Sequence, residues 1–457
     1  MLSCTLLNGA VLQRNQGNRI EGFGKEGSSI RVCFQDQEYE ARVQNGKWRV
    51  ETEPLQAGGP FEMKISSKEE TLRLTLWVGD VYLLGGQSNM EFRLKDEKHH
   101  KEAHALKNAR LLTIPQVEYE QDGKAFPSFP ALVWKEATKD NLMEFSAIGY
   151  YIGTVLDGLD IPIGLVSCNK GGTSASCWID QKTLFSNARL KKAYWDGYWR
   201  GIENQTEEQE DRARANYQKE LDAYQKKLAR YQLDHPEASL SDVKKAVGHT
   251  PWPGPKGNKD FGRPCGLFDT MFSKVETMSF AGIVWYQGEE DTKYGELYEP
   301  LLTALVSLWR TRLGGNIPFS IVQLPKYRDD KNEKWPLVRE AQKRVCEKLP
   351  DCALIVSVDT GEEFNIHPTD KSVLGKRIGQ KILDPAQGAK IVSFRDGIVT
   401  FDHEIVVKQN RLGWLLVSDR EVKVPEHVKE YAFDNYPEVF LFEKDGTPVA
   451  PFRLDES

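Results

Sequence analysis

A short apolar run, Val81–Leu84, ends in Gly85-Gly86 and passes at once into Gln87, Ser88, Asn89, Met90 and Glu91. Strand, glycine turn, then a serine at the mouth of a helix is one way to expose a nucleophilic hydroxyl at the end of a parallel strand. The glycines turn without a Cβ clash, and helix amides beside Ser88 would face an oxyanion formed there. The plainer reading of the same segment is a serine N-cap after a turn.

A nucleophilic serine needs a base. Of the eight histidines, His99, His100 and His104 lie in a charged stretch, His235 in a long charged segment, His249 in a Pro/Gly-rich loop, and His403 and His427 near the C-terminus. Only His367 follows an apolar core run, ALIVSV at 353–358. In an open parallel sheet, ligands sit beyond the carboxyl ends of the strands. The residues after each core run are therefore the candidates: Gly85 to Asn89, Asn169 to Ser174, Gln287 to Asp291, and Asp359 to Pro368.

Those loops need a sheet to bring them together. The runs VYLL, IPIGLVS, AGIVWY, PFSIVQL and ALIVSV alternate with helical stretches such as SAIGYYIGTVLDGL and LLTALVSLWRTRLG. Continuous apolar runs between helices predict an α/β core with a parallel sheet covered on both faces, placed at residues 78–385. Residues 1–77 show period-two alternation broken by turn residues, which predicts a small β-sandwich-like domain. Alternation returns over 386–457, with Asp-Gly hairpin signals at 396–397 and 445–446, and predicts a C-terminal β-unit. A helical insertion is expected at about 181–262, where Tyr217, Leu221, Tyr224 and Leu228 form the stripe of an amphipathic helix. The Pro/Gly-rich stretch 250–264 is long enough to form a substrate-side wall.

A net charge of −6 and a pI near 5.9 give no general attraction for nucleic acid or an anionic membrane. No apolar run approaches the roughly eighteen residues of a membrane span. The seven cysteines show no C-x-x-C pair, and the histidines and carboxylates show no ligand spacing, so neither a disulfide framework nor a metal site is expected. The N-terminus reads as having no signal peptide, which fits the cytoplasm, or a secreted protein lacking its leader.

GGQSNME, GGT followed by Trp178, WYQGEED, and NIHPTDK with Gly375 and Arg377 together resemble the sialate O-acetylesterase family of the SGNH hydrolase superfamily. LNGAVLQR, VREAQ, VKEYAFDNYP and GTPVAPFRLD resemble further landmarks of that family, so the likeness spans nearly the whole chain. The resemblance implies an SGNH-like three-layer core and a serine esterase that removes O-acetyl groups from carbohydrate, without a cofactor. It also implies Ser88 as nucleophile, His367 as general base, and Gly171 or Gly172 and Gln287 as oxyanion donors beside the Ser88 N–H. The sequence departs from the pattern before His367, where Phe364 and Asn365 stand in place of an aspartate. What orients His367 is then open among Glu363, Glu362, Asp359, Glu289, Glu290, and a Ser-His dyad whose imidazole is held by Asn365 or a backbone carbonyl. Related sequences act on sialic acids or on xylan and mannan, and a non-enzymatic carbohydrate-binding protein is the competing class.

Overall fold

The computed structural model describes residues 2–454 apart from 122, 129–130, 239, 249, 329–333 and 386–387. His249 and the start of the expected C-terminal unit, residues 386–387, lie outside the described residues. The chain divides into two compact units. One is built from Met1–Gln116, Pro130–Ala175 and Met271–Ser457, the other from Val117–Phe129 and Ser176–Thr270.

In the first unit, a three-stranded sheet of Ser3–Cys4, Arg19–Phe23 and Lys47–Glu51 forms one N-terminal layer. A second group, Ser29–Phe34, Gln37–Arg42 and Gly58–Ser66, pairs onto strand β1 (Thr71–Gly86). The boundary expected at residue 77 therefore falls inside a strand. The first half of β1 alternates between exposed and buried residues, and the second half, from Val78, is buried throughout. One strand thus belongs to an antiparallel sheet at its start and to a fully covered parallel sheet at its end.

The parallel sheet adds β2 (Ala109–Thr113), β3 (Ile163–Asn169), β4 (Gly282–Tyr286), β5 (Phe319–Val322) and β6 (Cys352–Ile355). The strand order is β2-β3-β1-β4-β5-β6, with Lys135–Glu136 antiparallel on the β2 edge. This is a mixed α/β architecture. After β1 the chain lays β2 and β3 on one side of it and then β4, β5 and β6 on the other, which makes the carboxyl end of β1 the topological switch point where open α/β sheets bind ligands. The site begins there.

Helices cover both faces. α1 (Ser88–Glu91) is a single turn after β1, and α2 (Ala147–Leu156) packs with α6 (Ser372–Leu383) over Leu84, Leu165, Val284 and Ile355. On the other face the Trp309 ring of α4 (Gly295–Leu313) lies edge-on to Trp285, and α5 (Trp335–Lys348) packs against α4. Beyond α6, the strands Ile391–Arg395 and Ile398–Phe401 form a hairpin whose Asp396 and Gly397 both have positive φ, as an Asp-Gly turn requires. Trp414, Tyr431, Phe440 and Phe452 fill the core of this C-terminal part.

The second unit contains α3 (Glu207–Asp234), opened by a capping box between Thr206 and Gln209. The Tyr217 hydroxyl of its apolar stripe donates to the Pro251 carbonyl at 2.7 Å. The unit starts before the expected insertion and also takes in the hairpin Tyr119–Gln121 with Lys124–Phe126, which composition does not set apart. Among the described residues, no helix is long and apolar enough to cross a membrane.

Candidate active site

At the end of β1, Gly86 has φ +138, and a Cβ there would lie 2.1 Å from the Tyr286 carbonyl oxygen. Only glycine allows this turn. From Val81 to Met90 every residue is buried except Ser88, which is half-buried. The N-cap of α1 is Gln87, and Ser88 is the first helical residue. The plainer reading of Ser88 as a cap is thereby overturned: its hydroxyl lies 2.8 Å from His367 Nε2. As the first residue of a helix, Ser88 also has a backbone N–H without an intrahelical acceptor.

His367 lies in the long loop after β6. Asn365 Oδ1 accepts from the His367 N–H at 3.2 Å, while its Nδ2 donates to the His367 carbonyl at 2.7 Å and to Glu362 Oε2 at 3.1 Å. Glu362 Oε1 in turn accepts from the Thr369 N–H and hydroxyl at 2.6 and 2.9 Å. Asn365 therefore braces the main chain of His367. Glu363 points to Arg328, with Oε1 at 2.7 Å from Nε. Glu289 is buried against Asn89, 2.6 Å away, and Asp359 pairs with Arg377. These hydrogen bonds and ion pairs of the candidates hold the surrounding loops.

The loop after β3 lies against the serine. A Cβ on Gly171 would sit 3.2 Å from Ser88 Cβ, yet the Gly171 N–H donates to Glu91 Oε2 at 2.6 Å. That amide is already engaged, which removes Gly171 from the expected oxyanion donors. Gly172 follows with φ +69, and among the described residues its N–H meets no protein acceptor. Asp291 fixes the rest of the loop, accepting from the Ser174 hydroxyl at 2.7 Å and the Ala175 N–H at 2.9 Å.

Gln287 also departs from expectation. Its side chain is fully buried, and Nε2 lies 2.7 Å from Asp291 Oδ2, 3.0 Å from the Thr173 carbonyl and 3.1 Å from Gln87 Oε1. Its Oε1 accepts from the Tyr298 hydroxyl at 2.8 Å. An amide with two N–H donors facing three protein acceptors has none to spare for a ligand. Gln287 is the centre of a buried network that joins the loops after β1, β3 and β4.

A second buried network lies beside Ser88. Asn89 contacts Glu289, the Ile366 carbonyl and Lys371 Nζ. Burial pulls the Lys371 ammonium down to about 7, against the opposing pull of Glu289, Glu362, Glu97 and Asp370. Burial likewise pushes the Glu289 carboxyl up. Sequence reasoning assigned no role to Asn89, Glu91, Asp291 or Lys371. The one available signal was their place in or next to the loops that follow core strands.

Further polar and aromatic side chains of the matching motifs and loops are structural. Arg339 is fully buried, donating to the Pro325 and Asp434 carbonyls, and Trp178, Trp285 and Tyr286 belong to the core. In the second unit, Arg263 donates to the Asp260 carbonyl at 2.8 Å. Glu97, His99 and Asp370 form the one grouping of metal-ligand type among the described residues. Their carboxylates already accept from the His99 N–H, the Tyr151 hydroxyl and Ser372, so they read as a structural cluster.

Residues 243–384 match the family described as carbohydrate esterase, sialic acid-specific acetylesterase. The sialate O-acetylesterase of Rattus norvegicus is 27% identical over 91% of this chain and 78% of its own length. The human sialate O-acetylesterase is 25% identical over 85% of this chain and 71% of its own. The chain is thus similar in sequence to sialate O-acetylesterases. In fold, the chain is similar to the crystal structure of a carbohydrate acetylesterase from Xanthomonas citri, with a TM-score of 0.74. That match covers 100% of this chain and 99% of the other at 23% identity, a likeness of fold.

Proposed function

We propose that the chain is a serine esterase of SGNH type that hydrolyses O-acetyl groups on carbohydrate. The observation that carries this reading is the 2.8 Å approach of His367 Nε2 to Ser88 Oγ at the carboxyl edge of the parallel sheet. With its proton on Nδ1, the imidazole takes the Ser88 proton at Nε2 as Oγ attacks the acetyl carbonyl. The oxyanion of the tetrahedral intermediate then faces the Ser88 and Gly172 N–H groups, which other protein groups leave open. Collapse breaks the bond to the sugar oxygen, which leaves with the proton from His367 Nε2. Water, deprotonated by the same nitrogen, attacks the acetyl-enzyme, and the second collapse releases acetate and restores Ser88.

Glu91 and Asp291 support the donor loop in this scheme, and Asn365 and Glu362 support the base. The N-terminal and C-terminal β-segments serve as flanking structure around the catalytic core. The substrate is a sugar O-acetyl ester, with sialic acid the first choice because the family match and the mammalian relatives are named for it.

Acetate release from acetylated sialosides, xylan, mannan and acetylated monosaccharides tests the substrate. Serine-directed phosphonate labelling tests the nucleophile. Turnover of an acetyl ester that persists in Ser88→Ala or His367→Ala would rule out the mechanism. Absent turnover and labelling, with retained glycan binding, would make the protein a binding module instead.

A further inference from the structure

Ser88 and His367 are 279 residues apart and follow different strands of the sheet, β1 and β6. Two strands, β4 and β5, separate β1 from β6. No shared strand or helix therefore sets the distance between the two side chains. A direct tie does exist one residue away from each. Asn89 follows the serine, and its Nδ2 donates at 3.0 Å to the carbonyl of Ile366, the residue before the histidine.

The other Nδ2 proton goes to Glu289 Oε1 at 2.6 Å, and Oδ1 accepts from Lys371 Nζ at 2.6 Å. Asn89 is 0% exposed, so water cannot replace a lost bond. Its neighbours also choose which way the amide points. Reversing it would turn NH2 toward the Lys371 donor and oxygen toward the acceptors on Glu289 and Ile366. Lys371 is anchored for this task from its own backbone, whose N–H donates to Glu97 Oε1 at 3.2 Å.

Resting on the reading of Ser88 and His367 as the catalytic pair, we propose that Asn89 is a positioning residue. It ties the serine turn to the histidine loop and so sets the Ser88–His367 separation, while Lys371 and Glu289 hold its amide in the orientation that makes the tie.

The test compares kcat and KM on an acetyl ester for Asn89→Ala and Asn89→Asp, with thermal melts and with Ser88→Ala and His367→Ala as references. A catalytic pair displaced by an ångström loses about 100-fold in rate, so kcat should fall by about that factor in both variants. KM should stay within about threefold, since the change acts on the chemical step. Adding Asn89→Ala to His367→Ala should lower the residual rate no further, because nothing remains to be positioned.

Asn89→Asp keeps the side-chain shape and so leaves no cavity of the kind that could unfold the alanine variant, while its second oxygen, facing Glu289 and the Ile366 carbonyl, cannot make the tie. If both melt below the assay temperature, Glu289→Gln with Lys371→Met removes the paired charges together, and a roughly tenfold loss of kcat at unchanged KM is expected. Wild-type kcat in any folded variant of this set overturns the proposal. Wild-type rates in Ser88→Ala or His367→Ala overturn the catalytic assignment instead, so the two failures are distinguishable.

Discussion

The Gly171 backbone N–H and Glu91 Oε2 are 2.6 Å apart, a charge-assisted bond between the loop after β3 and the single helical turn that carries Ser88. It converts an amide beside the nucleophile from a ligand donor into a hinge pin. In the proposed mechanism the next amide, that of Gly172, takes the part of oxyanion donor.

Glu91→Ala should release that pin and let the donor loop drift. The expected effect is a loss of kcat of about 10- to 100-fold with little change in the melting temperature, because one misplaced donor is costly in the transition state. Glu91→Gln retains an acceptor and should keep most of the rate. Steady-state kinetics of the two variants check this, and equal rates in wild type and Glu91→Ala would show that the loop holds itself.

For Gln287 the expectation is the reverse, a change in stability. Gln287→Ala would take one partner each from Asp291, Gln87 and the Tyr298 hydroxyl, all of which keep others, at a cost of about 1 to 3 kcal/mol in all. Urea unfolding should show that loss. If Gln287→Ala instead melted like wild type and lost only kcat, the amide would be a donor to the substrate after all.

Phe364 is 76% exposed in the loop that bears His367, while Trp178, Trp285 and Tyr286 are interior. An exposed ring beside the base offers an apolar surface to a sugar face. Phe364→Ala should raise KM severalfold for a carbohydrate ester and leave kcat nearly unchanged. The same variant on a small acetyl ester, which does not reach the ring, serves as the control.

What the sequence discloses depends on whether a pattern is local. Five core strands stand out as uninterrupted apolar runs, and the residues following them include Ser88 and His367, now 2.8 Å apart. β2 is missed because ARLLT is short and carries Arg110, close behind a charged stretch. The boundary at residue 77 is misplaced because alternation gives way to continuous burial inside one strand, so a change of period mimics a change of domain. Gln287 and Gly171 are misread for another reason. Their hydrogen-bonding capacity is visible in the residue type, but its consumption by Asp291, Tyr298 and Glu91 depends on tertiary placement.

Lys371 makes a prediction about pH whose sign can be worked through. Burial lowers its ammonium from the ordinary 10.5 to about 7, although Glu289, Glu362, Glu97 and Asp370 all pull the other way. Between pH 7 and 10.5 the unfolded chain therefore holds a proton that the folded chain has released. Unfolding free energy from this group rises with pH across that window, and the contribution is lost as pH falls through about 7. Glu289, pushed up by burial, acts in the opposite sense and at lower pH: its contribution is present below the ordinary 4.5 and declines above it. Lys371→Met removes only the upper window. Urea unfolding of wild type and variant at pH 7 and pH 10 should show the difference moving in favour of wild type at the higher pH. A difference that stays flat would mean that Lys371 remains charged in the fold, held by its surrounding carboxylates.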